Sequence, residues 1–127
     1  MPPVHPRPLS PHLQIYRPQW TTALSILHRI TGVGLTLGLA LLTWFLYALA
    51  AGPEAFATLL RCVTSPLGQV MFAGWSFALC YHACAGVRHL VFDTGHLLHA
   101  KHAEIAGKIV LAAAVLCTLA LWLYIRG

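Results

Sequence analysis

The chain has 127 residues, of which 58% are hydrophobic and only 9% are charged, whereas a soluble domain typically carries about 25% charged residues. A soluble domain this small would have too little interior to bury so many apolar side chains, so lipid is expected to cover them. The net charge of +5 would suggest a nucleic-acid partner in a soluble protein, but here basic residues at the ends of membrane spans explain it better.

Three long stretches of the chain contain no charged residue. Their bounding pairs are Arg29 and Glu54, Arg61 and Arg88, and Lys108 and Arg126. Each stretch approaches the roughly 20 residues that cross about 30 Å of hydrocarbon, although the last is at the short end. Because backbone polar groups in lipid must be paired within their own segment, we predict an all-α integral membrane protein with three transmembrane helices. The expected spans are about residues 22–51, 66–92 and 105–126.

The distribution of basic residues predicts the orientation of these helices. Six of the eight Lys and Arg residues lie before the first span or between the second and the third. By the positive-inside rule the N-terminus and the second loop are cytoplasmic, and a bacterial cytoplasmic (inner) membrane is the simplest location. Residues 1–20 lack the apolar core of a secretory signal, and their prolines favour an extended cytoplasmic arm. Residues 21–127 then form the transmembrane anchor domain.

The first predicted helix opens with SILHRITG, which places Ser25, His28 and Arg29 on one helix face. A quinone needs hydrogen-bond donors for its carbonyl oxygens in an apolar slot open to lipid, and Ser25 and Arg29 supply such donors. Taken singly, Ser25 could cap the helix or bond back to it, and Arg29 could be an interface anchor. The cluster of the three residues favours a quinone-binding site.

Small residues and turn residues organise the rest of the first half of the chain. Gly34 and Gly38 lie four residues apart, a spacing that lets another helix approach closely. Gly52-Pro53 and Ser65-Pro66 mark the turn region between the first two spans.

In the second predicted helix, His82 lies roughly 9 Å from Arg88 along the helix axis, inside the apolar span. An ionisable residue at that depth is costly and indicates a function, while a histidine hydrogen-bonded to a neighbouring helix is the alternative. The small side chains of Cys84, Ala85 and Gly86 would let a flat ligand approach this helix. Because imidazole is a standard axial ligand of haem iron, His82 is the candidate haem ligand.

A haem at that depth must also place two carboxylates, which need cationic or hydrogen-bonding partners. The expected partners lie at the cytoplasmic ends of the two helices, and they are His28, Arg29, Arg88 and His89. The chain has no second histidine inside a span at the depth of His82. The second axial ligand is therefore expected from another subunit.

The connector TGHLLHAKHAE carries three histidines at spacings of three, His96, His99 and His102. On a helix that spacing would keep the imidazoles near one face, so a metal patch is conceivable, but a solvated cytoplasmic connector is the favoured interpretation. The four cysteines show no C-x-x-C spacing and are expected to act as small apolar side chains. They are Cys62, Cys80, Cys84 and Cys117.

These segments together resemble a known family. RPLSPHLQIY, SILHRITG and the pattern H-x-x-x-G-x-R-H-L-x-x-D from His82 to Asp93 resemble the cytochrome b membrane-anchor subunit of succinate dehydrogenase, respiratory complex II. The resemblance implies a second three-helix anchor subunit as a partner, and attachment of iron–sulfur and flavoprotein subunits to the membrane. It further implies that electrons from succinate oxidation reach ubiquinone through those subunits, with haem b nearby.

The resemblance also implies roles for individual residues. It makes His82 the axial ligand of haem b, Ser25 and Arg29 quinone-site residues, and His28 a contact of a haem propionate. Three further residues match the second motif without separate roles, namely Arg88, His89 and Asp93. The chain has no dinucleotide-binding glycine pattern and no cysteine ligand set for an iron–sulfur cluster, so succinate is expected to react in partner subunits.

Two other classes of function fit part of the pattern. A small transporter or channel subunit would use His82 as a proton or ion relay, but it would need more polar residues along a path than scattered Thr and Ser. A purely structural anchor would assemble without electron chemistry, and replacement of Ser25 or His82 would then leave quinone reduction unchanged.

Overall fold

The computed structural model describes residues 17–127, and these residues form α-helices with no β-strand among them. The helices are α1 (Trp20–Ala51), α2 (Pro53–Thr64), α3 (Pro66–Asp93) and α4 (Ala100–Arg126). Helices α1, α3 and α4 are long and apolar enough to cross a membrane, which confirms the all-α fold with three spans. The predicted N-terminal arm, with the segment RPLSPHLQIY, lies for the most part outside the described residues.

Both predicted turn sites are helix boundaries. Gly52 ends α1 at a φ of 109°, a conformation that favours glycine, and Pro53 follows at the start of α2. At the other site, the Ser65 hydroxyl accepts a hydrogen bond of 3.1 Å from the Gly68 N–H, and Pro66 begins α3. The proline at each helix start has no N–H to leave unpaired, so these short junctions satisfy the backbone.

The turn region predicted between the first two spans contains a helix of its own, the 12-residue α2. Leu59 is buried in the bundle, whereas Glu54 and Arg61 are exposed, so α2 has one apolar and one polar face. The sequence signal for it is the spacing of apolar residues by three and four in FATLLRCV. A helix this short with two such faces fits the membrane interface and not the hydrocarbon.

The last helix is longer than predicted. It begins at Ala100, before the expected start at about residue 105, and His99 precedes it in an extended conformation. Alanine, lysine and glutamate favour helix, which explains why α4 continues into the polar connector. Ahead of it, Gly95 has a φ of 82° and turns the chain after α3.

Helix α3 is the centre of the bundle, because it packs along both α4 and α1. The core consists of small and branched side chains around one aromatic ring, namely Leu24, Tyr81, Ala85, Val110 and Ala114. Most large apolar side chains instead cover the outside of the three long helices, as Leu37, Val70 and Leu123 do. That distribution is the one expected where lipid or partner helices surround the bundle.

The glycines of α1 explain how closely α3 can approach it. A Cβ at Gly38 would clash with the indole of Trp75 from α3, whereas a Cβ at Gly34 would meet nothing within 4 Å. The close helix contact predicted for this glycine pair is therefore made at Gly38 alone.

A substitution at Gly38 tests this contact. In Gly38→Ala the new methyl group collides with the Trp75 ring, and overpacking of this kind typically costs about 1–3 kcal/mol. We expect a lower midpoint of thermal unfolding for the detergent-purified protein, followed by tryptophan fluorescence. Gly34→Ala adds the same methyl group to open space and should keep the midpoint, so equal midpoints for the two variants would contradict the contact.

Candidate functional site

Most of the polar side chains of interest lie at one end of the bundle, where α1 begins, α3 ends and α4 begins. We call this the basic end; its cations in the described residues are Arg17, Arg29, Arg88, Lys101 and Lys108. The other end carries Arg61 and Arg126. Within the basic end, three imidazoles meet between α1 and α3.

His82 projects from α3 onto the backbone of α1. Its Nδ1 lies 3.2 Å from the carbonyl oxygen of His28 and 3.2 Å from the hydroxyl oxygen of Thr31. The Thr31 hydroxyl itself donates to the same carbonyl at 2.9 Å. Because a carbonyl oxygen only accepts, the tautomer that satisfies this contact has its proton on Nδ1 and its lone pair on Nε2. The hydrogen-bonded histidine and the ligand histidine are therefore compatible interpretations of one side chain.

His28 completes a row of three imidazoles. Its ring centroid lies 4.1 Å from that of His82 and 5.0 Å from that of His89, which follows His82 by two turns of α3. The Nε2 atom of His28 is buried and has no hydrogen-bond partner within residues 17–127. A buried imidazole nitrogen of this kind calls for a polar partner, so the row, here named the imidazole row (His28, His82 and His89), is a candidate ligand site.

Two glycines shape the surroundings of His82. A Cβ at Gly32 would lie 3.1 Å from the His82 Cε1, so the bare α1 backbone at this point lets the ring approach. A Cβ at Gly86, one turn beyond His82, would meet nothing within 4 Å, so there is open space at this position of α3. Gly32 is a site residue that sequence reasoning missed, and its signal is its place four residues after His28 in SILHRITG.

Ser25 and Arg29 lie on α1 next to the imidazole row. Ser25 is half-buried and Arg29 is exposed, and neither side chain has a hydrogen-bond partner within residues 17–127. His28 turns toward α3, while Arg29 points outward. The His28 and Arg29 side chains of the predicted cluster therefore point in different directions.

Arg88 faces a different neighbour from His89. Its Nη2 donates to the Ala103 carbonyl of α4 at 3.2 Å, and its guanidinium carbon lies 4.5 Å from the centre of the Phe92 ring. The residue is only 7% exposed, so the charge is held between α3 and α4. The structure therefore brings His28, His82 and His89 together and places Arg88 on the other side of α3.

Tyr81 is a structural residue of the site that sequence reasoning did not single out. It is fully buried, and its hydroxyl donates to the Leu24 carbonyl of α1 at 2.8 Å. Its position directly before His82 is the only signal that the sequence offers. The bond fixes α3 against α1 one residue before Ser25.

The histidines of the connector contact each other and Thr94. His96 pairs with the Thr94 hydroxyl at 2.8 Å, and the rings of His99 and His102 meet edge to face at 5.9 Å. Within residues 17–127, no group of three His, Cys, Asp or Glu side chains could hold a metal ion. The side chains of His96, His99 and His102 are exposed, and the four cysteines are all free thiols.

Comparison with known proteins identifies relatives over nearly the whole chain. The model of the succinate dehydrogenase/fumarate reductase transmembrane subunit family matches residues 3–121. The chain is 45% identical to the succinate dehydrogenase cytochrome b556 subunit of Paracoccus denitrificans, over 87% of this chain and 89% of that protein. It is 41% identical to the subunit of the same name in Rickettsia typhi, over 91% of this chain and 90% of the relative. Similarity extends to the succinate dehydrogenase cytochrome b560 subunit of Reclinomonas americana, 38% identical over 92% of this chain and 85% of the relative.

Removal of the Tyr81 hydroxyl tests how firmly α3 is held beside the imidazole row. Tyr81→Phe keeps the ring and leaves the Leu24 carbonyl without this donor, so we expect a loss of about 0.6–1.5 kcal/mol and a lower thermal unfolding midpoint in detergent. Tyr124→Phe deletes the same hydroxyl from a side chain that is 87% exposed and serves as the control. A midpoint unchanged in both variants would show that the bond contributes nothing to the packing.

Proposed function

The chain belongs to the succinate dehydrogenase/fumarate reductase transmembrane subunit family, and from this we propose that it is the cytochrome b membrane-anchor subunit of a succinate:quinone oxidoreductase. Its partners are a second three-helix anchor subunit, an iron–sulfur subunit and a flavoprotein subunit that oxidises succinate. The location is a bacterial cytoplasmic (inner) membrane, as the Paracoccus and Rickettsia relatives suggest, with the N-terminus cytoplasmic. The chain itself is not the succinate-binding subunit.

The observation that carries the proposal is the pair of contacts that the His82 Nδ1 makes with α1, from which we infer the tautomer. The His28 carbonyl and the Thr31 hydroxyl hold the Nδ1 proton, so the Nε2 lone pair is available for the iron of haem b. Such a bond from the second ring nitrogen to a backbone carbonyl is the usual support of a metal-bound histidine. When bound, haem b supplies reversible one-electron transfer. The open space at Gly86 and the unpartnered Nε2 of His28 support the binding of a planar ligand with polar groups at its edge next to His82.

The propionates of the haem would lie toward the basic end. His28, with its buried unpartnered nitrogen, and His89, next to it in the imidazole row, are placed to donate hydrogen bonds to carboxylates. The exposed Arg29 adds a cation on the adjacent turn of α1. The propionate role of Arg88 stays a prediction, and its guanidinium faces α4 and not the imidazole row. A second ligand of the haem iron would come from the partner anchor subunit.

Quinone binding is assigned to Ser25 and Arg29. Both side chains lack partners in the described part of the chain, so each can donate to a quinone carbonyl oxygen without breaking an existing bond. They lie on α1 beside His28, which brings the quinone head close to the imidazole row. Quinone reduction takes up two electrons and two protons, and the basic end is the side from which water can reach these residues.

The packing of α1 argues against the alternative of a proton or ion relay. A path beyond His82 toward the other end would need polar groups that face a channel. The hydroxyls of Thr36 and Thr43 instead donate to the carbonyls of their own helix, at Gly32 and Leu39, with distances of 3.0 and 2.8 Å. These side chains are exposed on the outer surface of the helix and line no interior path.

The haem proposal is tested by a dithionite-reduced minus oxidised visible spectrum of the complex purified through this chain. We expect a b-type haem band in the native complex, and loss or a shift of that band in His82→Ala, because the alanine removes the iron ligand. His99→Ala, which deletes an exposed connector imidazole, is the control and should keep the band. An intact native complex without a haem band would refute the assignment of His82.

The quinone proposal is tested by two activities of the same preparation. In Ser25→Ala we expect quinone reduction with succinate to fall about tenfold, and in Arg29→Ala about 10- to 100-fold, because one neutral and one charged hydrogen bond are lost. Succinate oxidation with an artificial electron acceptor should be retained in both variants. Thr43→Val, on the same helix but away from the basic end, serves as the control. Equal loss of both activities would indicate failed assembly, and unchanged quinone reduction would refute the site.

A further inference from the structure

Arg88 lies where two clefts between α3 and α4 meet. One cleft, of about 500 Å³, runs along the helices and is apolar, with Val87, Ile105 and Ile109 in its walls. The other, of about 640 Å³, opens at the basic end and includes Trp20. Arg88 and Leu97 line both clefts. These two neighbouring clefts share the Arg88 side chain and are here together called the Arg88 cleft; its part along the span is apolar, and its part at the basic end is also lined by polar residues at the start of α1.

The charge of Arg88 is not neutralised within the described chain. The residue is 7% exposed, its Nη2 donates to the Ala103 carbonyl, and its Nε is buried without a hydrogen-bond partner in residues 17–127. The cleft has one acidic residue in its wall, Glu104, which forms an ion pair of 2.9 Å with Lys108 instead. A buried cation with an unused donor is costly unless an anion reaches it, so the anion must come from outside these residues.

The shape of the cleft specifies the kind of anion. An acidic group at Arg88 would have a long apolar channel on one side and the membrane interface, marked by the Trp20 indole, on the other. An amphiphile with an anionic head and a hydrocarbon tail fits both parts, whereas a small free anion would leave the apolar part unused. We propose that the Arg88 cleft binds a glycerophospholipid, with its phosphate at the Arg88 guanidinium and one acyl chain between α3 and α4.

This site is separate from the imidazole row, and it assigns the Arg88 guanidinium to a lipid phosphate in place of a haem propionate. The imidazole row lies between α1 and α3, whereas Arg88 bonds to α4. A lipid in the cleft would give Arg88 its missing acceptor and would fill the gap between two helices that otherwise touch around Ala85, Val110 and Ala114.

Native mass spectrometry of the complex purified through this chain tests the proposal. The complex is delipidated in detergent and supplied with dioleoyl phosphatidylglycerol, or with dioleoylglycerol, which has the same chains but no phosphate. We expect the native complex to bind one phosphatidylglycerol more than Arg88→Gln does at equal lipid concentration, with about tenfold weaker retention at that site in the variant. Lys101→Gln, which removes an exposed cation of the basic end, is the matched control and should bind as the native complex does.

A second pair of variants tests the apolar part of the cleft without changing charge. Ala113→Phe fills the cleft, while Ala112→Phe adds the same side chain at the next position, outside it. We expect the first to lose the same phosphatidylglycerol and the second to keep it. Equal binding in native protein and Arg88→Gln, equal retention of dioleoylglycerol, or binding of inorganic phosphate at Arg88 without binding of the lipid would each overturn the proposal. The proposal would also be overturned if the native complex lacked this lipid and the Arg88→Gln complex failed to assemble. A carboxylate of a partner subunit would then occupy the cleft.

Discussion

Three polar side chains of α3 reach backbone carbonyls of the neighbouring helices, and the arrangement of the bundle depends on these bonds. Tyr81 donates to the Leu24 carbonyl and His82 to the His28 carbonyl of α1, while Arg88 donates to the Ala103 carbonyl of α4. In hydrocarbon no water can satisfy such groups, so each must find an acceptor in protein. Backbone carbonyls are acceptors that every helix presents, and with them α3 is fixed to α1 on one side and to α4 on the other.

The same bonds divide the basic end into two regions with different chemistry. On the α1 side, a carbonyl fixes the proton of His82, and the Nε2 lone pair and the neighbouring His28 are left for a ligand. On the α4 side, one bond and the Phe92 ring engage only part of the Arg88 guanidinium, and its Nε is left unpartnered. Each region therefore holds a buried group whose hydrogen bonding is incomplete in the described chain, and each is a place where an outside partner would gain binding energy.

The outer surface of the bundle follows from the small size of the chain. The core is a narrow seam around Tyr81 and Ala85, and large apolar side chains such as Leu37 and Leu123 remain on the outside. In a transmembrane subunit, lipid and neighbouring subunits cover such apolar side chains, so they need not be buried within the chain itself. The amphipathic α2 closes the end opposite the imidazole row, where it packs on α1 and α3.

The sequence by itself determined the helical class, the three spans and the basic end, because hydrocarbon thickness and charge spacing act locally along the chain. It also pointed to His82, since an ionisable residue far inside an apolar span is conspicuous without any structure. Only the tertiary structure decided which neighbour each side chain meets. His89 and Arg88 are adjacent in sequence, yet one stacks near His28 and the other bonds to α4, because successive helix residues point about 100° apart. The role of Tyr81 and the contacts of the His82 Nδ1 likewise depend on segments distant in sequence, which no local pattern contains.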